Sequence, residues 1–343
     1  MRSLLLGALV LVSVSVPLLA APEVNNLSAV VQDPRLKESL YPLYRKIASE
    51  VGPTGALGSI NRDWEKDRRR PWFIEQQRHA GDLMEAGIAL HDPYSIQQSI
   101  KAIQWGLDQM KPDGGYDCGD PVHSTELFLE AAARGATLLR QTNPIPNAEQ
   151  IVDAWTPKLR QVSRWLIERR KHQSPKERFE QLERYNHRFF ASAAGIGMTA
   201  ALLNDPGLTA AAEHLAREGL AKEQPGNIFP ENGGFDTNYQ TLCALMASRY
   251  YWSCSNPELR AKVGQALARA LVPIMDRTAV DGAVDSSGTT RTSGQETARN
   301  GKIKQFGYRE YFQALVTADH IQPSGRLEET IRNVIPQLAR AAH

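Results

Sequence analysis

Residues 188–203 carry apolar or very small side chains on nearly every face a helix could present: Phe189, Phe190, Ala191, Ala193, Ala194, Gly195, Ile196, Gly197 and Met198 follow one another with few interruptions. A helix without a polar face is buried on all sides. Residues 237–253 read the same way. By contrast, 207–222 and 257–275 each have one apolar stripe and one charged face. Buried and amphipathic helices therefore alternate along the chain. Further helices are expected near 34–51, 73–91, 94–110, 123–141, 147–170, 307–320 and 325–341, and alternating β-branched runs are scarce. The alternation predicts an all-α fold, an (α/α) toroid of about five to seven helical hairpins with inner helices lining a barrel and outer helices wrapping it. A helical solenoid would share the alternation.

The chain has 343 residues. Arg2 precedes an apolar run from Leu4 to Leu19 that ends in Ala20-Ala21, the pattern of a secretory signal peptide. Residues 1–21 are expected to be cleaved, leaving 22–343 as a single toroid domain, periplasmic or secreted. No later stretch is long and apolar enough to span a bilayer. The 40 basic and 38 acidic residues nearly cancel. That balance excludes a strong global field for nucleic acid or an anionic membrane, but not a local basic cleft. A monomer is expected. Cys118, Cys243 and Cys254 have no zinc spacing, so neither metal nor cofactor is expected. An exported chain permits a Cys243–Cys254 disulfide, though spacing alone does not establish one.

Three short segments look alike. Asp113-Gly114-Gly115-Tyr116-Asp117, Asn232-Gly233-Gly234-Phe235-Asp236 and Asp281-Gly282-Ala283-Val284-Asp285 each precede a helix, the last with a long loop between. Glycine opens turn conformations to the backbone, and the final Asp suits a helix cap. In a ring, equivalent corners fall on one rim. The loop from Ser286 to about Gln305 is the longest segment without helical pattern. Between 286 and 310 it carries five basic residues (Arg291, Arg299, Lys302, Lys304, Arg309) and two acidic ones, Glu296 and Glu310. A basic loop of this kind is expected to be mobile without ligand and to close over an anionic chain. The mixed-sign segment 61–71 reads as a solvated connection.

Three helix entrances supply the polar groups able to do chemistry. His123, Ser124 and Glu126 follow Asp117 and Asp120. Tyr185, Asn186, His187 and Arg188 start the helix at 188, with Asn186 the expected N-cap. Asn232, Asp236, Asn238, Tyr239 and Gln240 start the helix at 237. Tyr308, Arg309 and Tyr311 follow the basic loop. His, Tyr, Asn and Arg together suit β-elimination from a 4-linked uronic acid. That reaction needs a neutralised carboxylate, a base for the C5 proton and an acid for the departing oxygen.

The export signal, the expected toroid and the Tyr-Asn-His-Arg stretch before an inner helix resemble the (α/α)-toroid polysaccharide lyases, alginate and glucuronan lyases in particular. The resemblance spans about 35–341, its sharp motif only a few residues. Many of these lyases show Asn-Asn-His, where this chain has Tyr185 before Asn186-His187. The resemblance implies Asn186 as carboxylate neutraliser, His187 as base, Tyr239 as acid or combined acid and base, and Arg309 as a second carboxylate partner. Tyr185, Arg188, His123, Asn232, Asp236, Arg299, Lys302 and Tyr308 would bind an anionic polysaccharide or oligosaccharide. Two other readings stay open: a toroid glycoside hydrolase using two of Asp117, Asp120, Glu126, Glu231 and Asp236, and a glycan-binding protein without turnover. Trp72, Trp105, Trp155 and Trp165 read as core rather than sugar platforms.

Overall fold

The computed structural model describes residues 27–291, 296–297, 301 and 303–340. The described residues form helices in the order α1 (Leu27–Val31), α2 (Tyr41–Arg45), α3 (Ser59–Lys66), α4 (His79–Ala89), α5 (Pro93–Asp108), α6 (Pro121–Thr142), α7 (Ala148–Lys171), α8 (Pro175–Arg178), α9 (His187–Leu203), α10 (Pro206–Ala221), α11 (Thr237–Tyr251), α12 (Pro257–Met275), α13 (Tyr308–Ile321) and α14 (Gly325–Arg340). Among them there are only isolated β-bridges, no named strand.

Five hairpins, α4–α5, α6–α7, α9–α10, α11–α12 and α13–α14, make the expected (α/α) toroid. The inner helices α2, α4, α6, α9, α11 and α13 pack each on the next, and α13 and α14 return to the π-helical turn Leu36–Leu40. Burial follows the sequence pattern: α9 is buried from His187 through Ala200, whereas α10 buries only Leu208, Ala212, Leu215, Ala216 and Gly219. Three outer helices start alike. Asp92, Asp205 and Asn256 each cap a helix whose first residue is proline, and each accepts a backbone N–H of the first turn. Proline at that position has no N–H to leave orphaned. The region 34–51 is not one helix but a π turn, α2 and the 3-10 turn Lys46–Glu50. Pro42 lacks the N–H that an unbroken helix would use there. The segment expected as a solvated connection, 61–71, overlaps α3, and α8 lies where no helix is expected.

The ring closes through a polar clasp. His320 Nε2 lies 2.8 Å from Asp33 Oδ2, and Arg35 bridges Asp33 and Asp319, the latter at 2.7 Å. Burial pushes the Asp33 carboxyl up, but the hydrogen bonds from His320 and Arg35 outweigh it and hold it well below the usual range. A depressed carboxyl contributes stability that is present above its unfolded value near 4 and is lost as pH falls toward the folded value. The unfolding midpoint in denaturant is therefore expected to drop below about pH 4, and Asp33→Asn should flatten that slope.

The glycine corners differ from expectation in one member. In the turn from Lys111 to Gly115, Lys111 N–H donates to Gly115 O (2.9 Å) and Gly114 N–H to Lys111 O (2.9 Å); Ala279–Ala283 repeats both bonds at 2.8 Å. The same turn recurs at Gly52–Ala56, and Gln224–Ile228 repeats its closing bond. The fourth residue is in the left-handed region each time: Gly55, Gly114, Asn227 and Gly282. Asn232-Gly233-Gly234 is a different, tighter turn. A matched pair of glutamines supports the revised register. Gln77 binds Gly55 O, Leu57 N and Ala102 O of α5; Gln240 binds Asn227 O, Phe229 N and Ala270 O of α12. Gly282, at φ +80°, sits so close to α14 that an added Cβ would lie 2.0 Å from Asn333 O. Gly282→Ala should therefore destabilise by more than about 1 kcal/mol, read as a lowered unfolding midpoint with the denaturant slope unchanged.

Candidate functional site

All five complete inner helices begin on one rim, and each offers a chemically able residue within its first three positions: His79, His123, His187, Tyr239 and Arg309. All five line one cavity of about 780 Å³. Side chains near helix starts point toward the N-terminal rim, so the ring geometry gathers residues far apart in sequence.

His187 is held most tightly. Tyr185 pairs with Glu231 as an isolated bridge, and Asn232 N–H donates to Arg184 O at 2.7 Å. This carries the buried Glu231 carboxylate to the start of α9. Its Oε1 accepts the His187 backbone N–H (3.1 Å) and meets Nδ1 at 2.6 Å. A carboxylate accepts, so the proton is assigned to Nδ1, leaving the lone pair on Nε2. Nε2 is buried with no hydrogen-bond partner among the described residues. Glu231, not Asn186, thus caps α9: Asn186 makes no side-chain cap.

The ring centroid of His123 is 5.6 Å from that of His187, and that of Tyr239 is 5.2 Å from it. Burial first, then the positive Arg188, pushes the His123 imidazole well below its ordinary value, so it is neutral. Tyr239 Oη donates to Glu296 (3.0 Å) and accepts from Lys304 Nζ, while the Arg291 guanidinium stacks 3.7 Å from its ring centroid. Burial raises the Tyr239 phenol far above its usual value; Arg291 opposes this and Glu296 adds to it. The nearby cations are Arg291 and Lys304. Burial also lowers Lys304 below the ordinary ammonium value. Arg188 donates to Gln181 O at 2.6 Å, lies 3.7 Å from Asp120 and stacks on Tyr185 at 4.5 Å.

The cavity floor is an ion network that sequence reading did not single out. Arg134, 1% exposed, meets Glu85 (2.7 Å), Glu130 (2.8 Å) and Asp82 (3.0 Å). Arg249 meets Glu130 (2.8 Å) and Asp82 (3.2 Å), and His79 Nδ1 lies 3.0 Å from Asp82. Glu130, Arg134 and Arg249 interrupt otherwise small or apolar inner-helix stretches, and charges in a fully buried helix need partners. That was the available signal.

Of the residues expected to serve catalysis or bind the sugar chain, His123, Tyr185, His187, Arg188, Tyr239 and Arg309 line the cavity. Asn186 does not: it is buried behind the rim, its amide 3.4 Å from Gly219 O and 3.6 Å from Cys243 Sγ. Asn232 is on the surface, accepting from Arg184. Asp236 caps α11 through Tyr239 N–H (3.1 Å) and also takes Arg291 N–H (2.7 Å). Tyr308 Oη accepts from Val284 N–H at 3.1 Å, away from the cavity. Asn186, Asp236 and Tyr308 turn away from the cavity because each pairs with a backbone group of the fold: Gly219 O, the Tyr239 and Arg291 N–H groups, and Val284 N–H. Arg299 and Lys302 lie outside the described residues, as do 1–21. Asn238, Arg291, Glu296 and Lys304 join the lining instead. Among the hydrolase carboxylates, only Asp120 lines the cavity. The tryptophans are structural: Trp72, Trp105 and Trp155 donate to Asp117 O, Glu65 and Gln104, and none lines the cavity. All three cysteines are free, so Cys243 and Cys254 form no disulfide. No group of His, Cys, Asp and Glu among the described residues could hold a metal ion, and no described helix is long and apolar enough to cross a membrane.

Comparison with known proteins adds to the fold. No protein-family model matches the chain. No curated protein matches it in sequence. Among solved structures, a D-mannose isomerase superposes with a TM-score of 0.51 over 90% of this chain and 87% of that one, at 11% sequence identity. At that identity the likeness is one of fold: the chain is an (α/α) toroid.

Proposed function

We propose that this chain is an exported enzyme that cleaves a uronic-acid-containing polysaccharide by β-elimination. The observation that carries the reading is His187. Its Nδ1–H is held by a buried glutamate, its Nε2 has no partner among the described residues, and its ring lies in the cavity lining 5.2 Å, centroid to centroid, from that of Tyr239. An imidazole so oriented is a ready base for the C5 proton. A phenol kept protonated is a ready acid for the departing oxygen. Arg188, Arg291, Lys304 and Arg309 supply the positive charge that an enolate-like intermediate needs. Neutralisation thus falls to cations on the rim rather than to Asn186. Polyuronate substrate, export and the absence of a cofactor are parts of the same proposal.

Incubating the full chain with a panel of polyuronates and following absorbance of the new unsaturated end tests it; no chromophore with any of them would sink it. Tyr239→Phe is expected to lower kcat about 10²–10⁴-fold. The phenol titrates too high to shape the accessible pH range, so the variant's residual activity should keep the wild-type profile. An alkaline limb that vanished in the Phe variant would contradict a purely acidic role.

A second reading is favoured by the His123–His187 pair and by the fold shared with a sugar isomerase. Proton transfer between adjacent carbons of a free sugar would use the same His187 lone pair. Ketose formed from an aldose, with no unsaturated product, would select it.

A further inference from the structure

Resting on the elimination reading, we propose that Glu296 is an internal stand-in for the substrate's carboxylate. The cluster of Arg291, Lys304 and Tyr239 is then a carboxylate subsite that the chain keeps filled with its own side chain. Three donors of different kinds converge on one oxygen. Glu296 Oε1 lies 2.7 Å from an Arg291 guanidinium nitrogen, 3.0 Å from Tyr239 Oη and 3.5 Å from Lys304 Nζ. Glu296 lines the cavity, and its Oε2 is buried without a hydrogen-bond partner among the described residues. A carboxylate fixed for stability alone normally has both oxygens satisfied. Both cations have anchors other than the Glu296 carboxylate: Arg291 has its backbone bond to Asp236 and its stacking on Tyr239, and Lys304 has its contact with the phenol and its backbone N–H bond to the Glu296 carbonyl (2.8 Å), which a side-chain substitution leaves in place.

Two consequences follow from the geometry. While Glu296 is in place, the Tyr239 proton points at it and not at a leaving oxygen. A sugar carboxylate that displaces Glu296 takes over Arg291 and Lys304 and frees the phenol in the same event. It also sets the ring beside Tyr239, whose centroid is 5.2 Å from that of His187, so the adjacent C5–H comes within reach of the base. An uncharged sugar has nothing to exchange for Glu296. The subsite therefore selects for a carboxylated sugar, and Glu296 competes with it.

The test is calorimetric titration of the full chain with D-glucuronate and, separately, D-glucose. Glu296→Gln keeps the shape and removes the competing charge. It should bind glucuronate about tenfold more tightly than wild type, the equivalent of losing one modest ion pair, with glucose binding unchanged. Arg291→Gln added to that variant should abolish the gain. Equal or weaker glucuronate binding by Glu296→Gln overturns the proposal and marks the cluster as an ordinary ion pair. If Glu296→Gln melts early, Glu296→Asp decides: its shorter arm withdraws from Tyr239, so glucuronate binding should again tighten, and failure to do so overturns the proposal. Elimination is scored separately with a polyuronate. Tighter glucuronate binding without unsaturated product would remove the lyase reading and leave the subsite standing; product with unchanged binding would do the reverse.

Discussion

Replacing His187 with alanine is expected to lower polyuronate turnover about 10²–10⁴-fold, the range for loss of a general base. The side chain is 1% exposed and its Nδ1 faces a fully buried Glu231. Alanine would leave that carboxylate short of a donor, so part of any loss would reflect a loosened rim. His187→Asn is the companion, because its amide can still donate to Glu231 while offering no basic nitrogen to the cavity. Both variants should lose kcat alike, with the asparagine variant melting closer to wild type. Retention of more than a tenth of wild-type kcat by both would remove His187 from the proton transfer. Glu231→Gln separates orientation from chemistry. An amide at 231 can still accept from Nδ1–H through its oxygen, but without the charge that favours this tautomer, so a smaller loss is expected.

The largest effect on stability should come from Arg134→Met. Arg134 is the shared partner of Asp82, Glu85 and Glu130, all buried, and only Asp82 and Glu130 keep a contact with Arg249 once it is gone. Removing one side of a buried ion cluster costs about 3–5 kcal/mol, because the remaining charges stay desolvated. Burial already raises the Glu85 carboxyl, with Arg134 the main force opposing it. In the variant that opposition is gone, so the Glu85 carboxyl should titrate further above its unfolded value. A raised carboxyl destabilises where it is ionised in the unfolded chain, and the penalty fades as pH falls through the folded value. Denaturant unfolding should thus show a deficit that is greatest near neutral pH and shrinks toward pH 5. A deficit under about 1 kcal/mol at pH 7, or one that grows on acidification, would show that the network does not depend on Arg134.

The same residues show what could be read in advance. Helix class, the inner and outer alternation and the rim location of His123, His187 and Tyr239 follow from local patterns: period, small-residue content and nearness to a helix start. Those are properties of a few consecutive residues, and helix geometry turns them directly into position. Asn186 departs from its expected role for a related reason. It adjoins His187, but successive helical residues point about 100° apart, so His187 faces the cavity while Asn186 faces α10 and α11. The glycine corners were misregistered because Asn227 stands where the other three turns have glycine, and both residues tolerate a left-handed backbone.

An all-α ring and the rim on which its polar groups gather are legible in the chain alone, because burial period and helix starts are local. Which partners meet depends on the closed fold. Glu231 reaches His187 across 44 residues, Arg249 reaches Glu130 across 119, and Glu296 and Lys304 reach Tyr239 across 57 and 65. Ring closure sets those distances, and no local propensity encodes them. The chemistry of the site depends on them, because an imidazole gains a defined tautomer, and a phenol a fixed proton, only from the side chains the fold brings within hydrogen-bond reach.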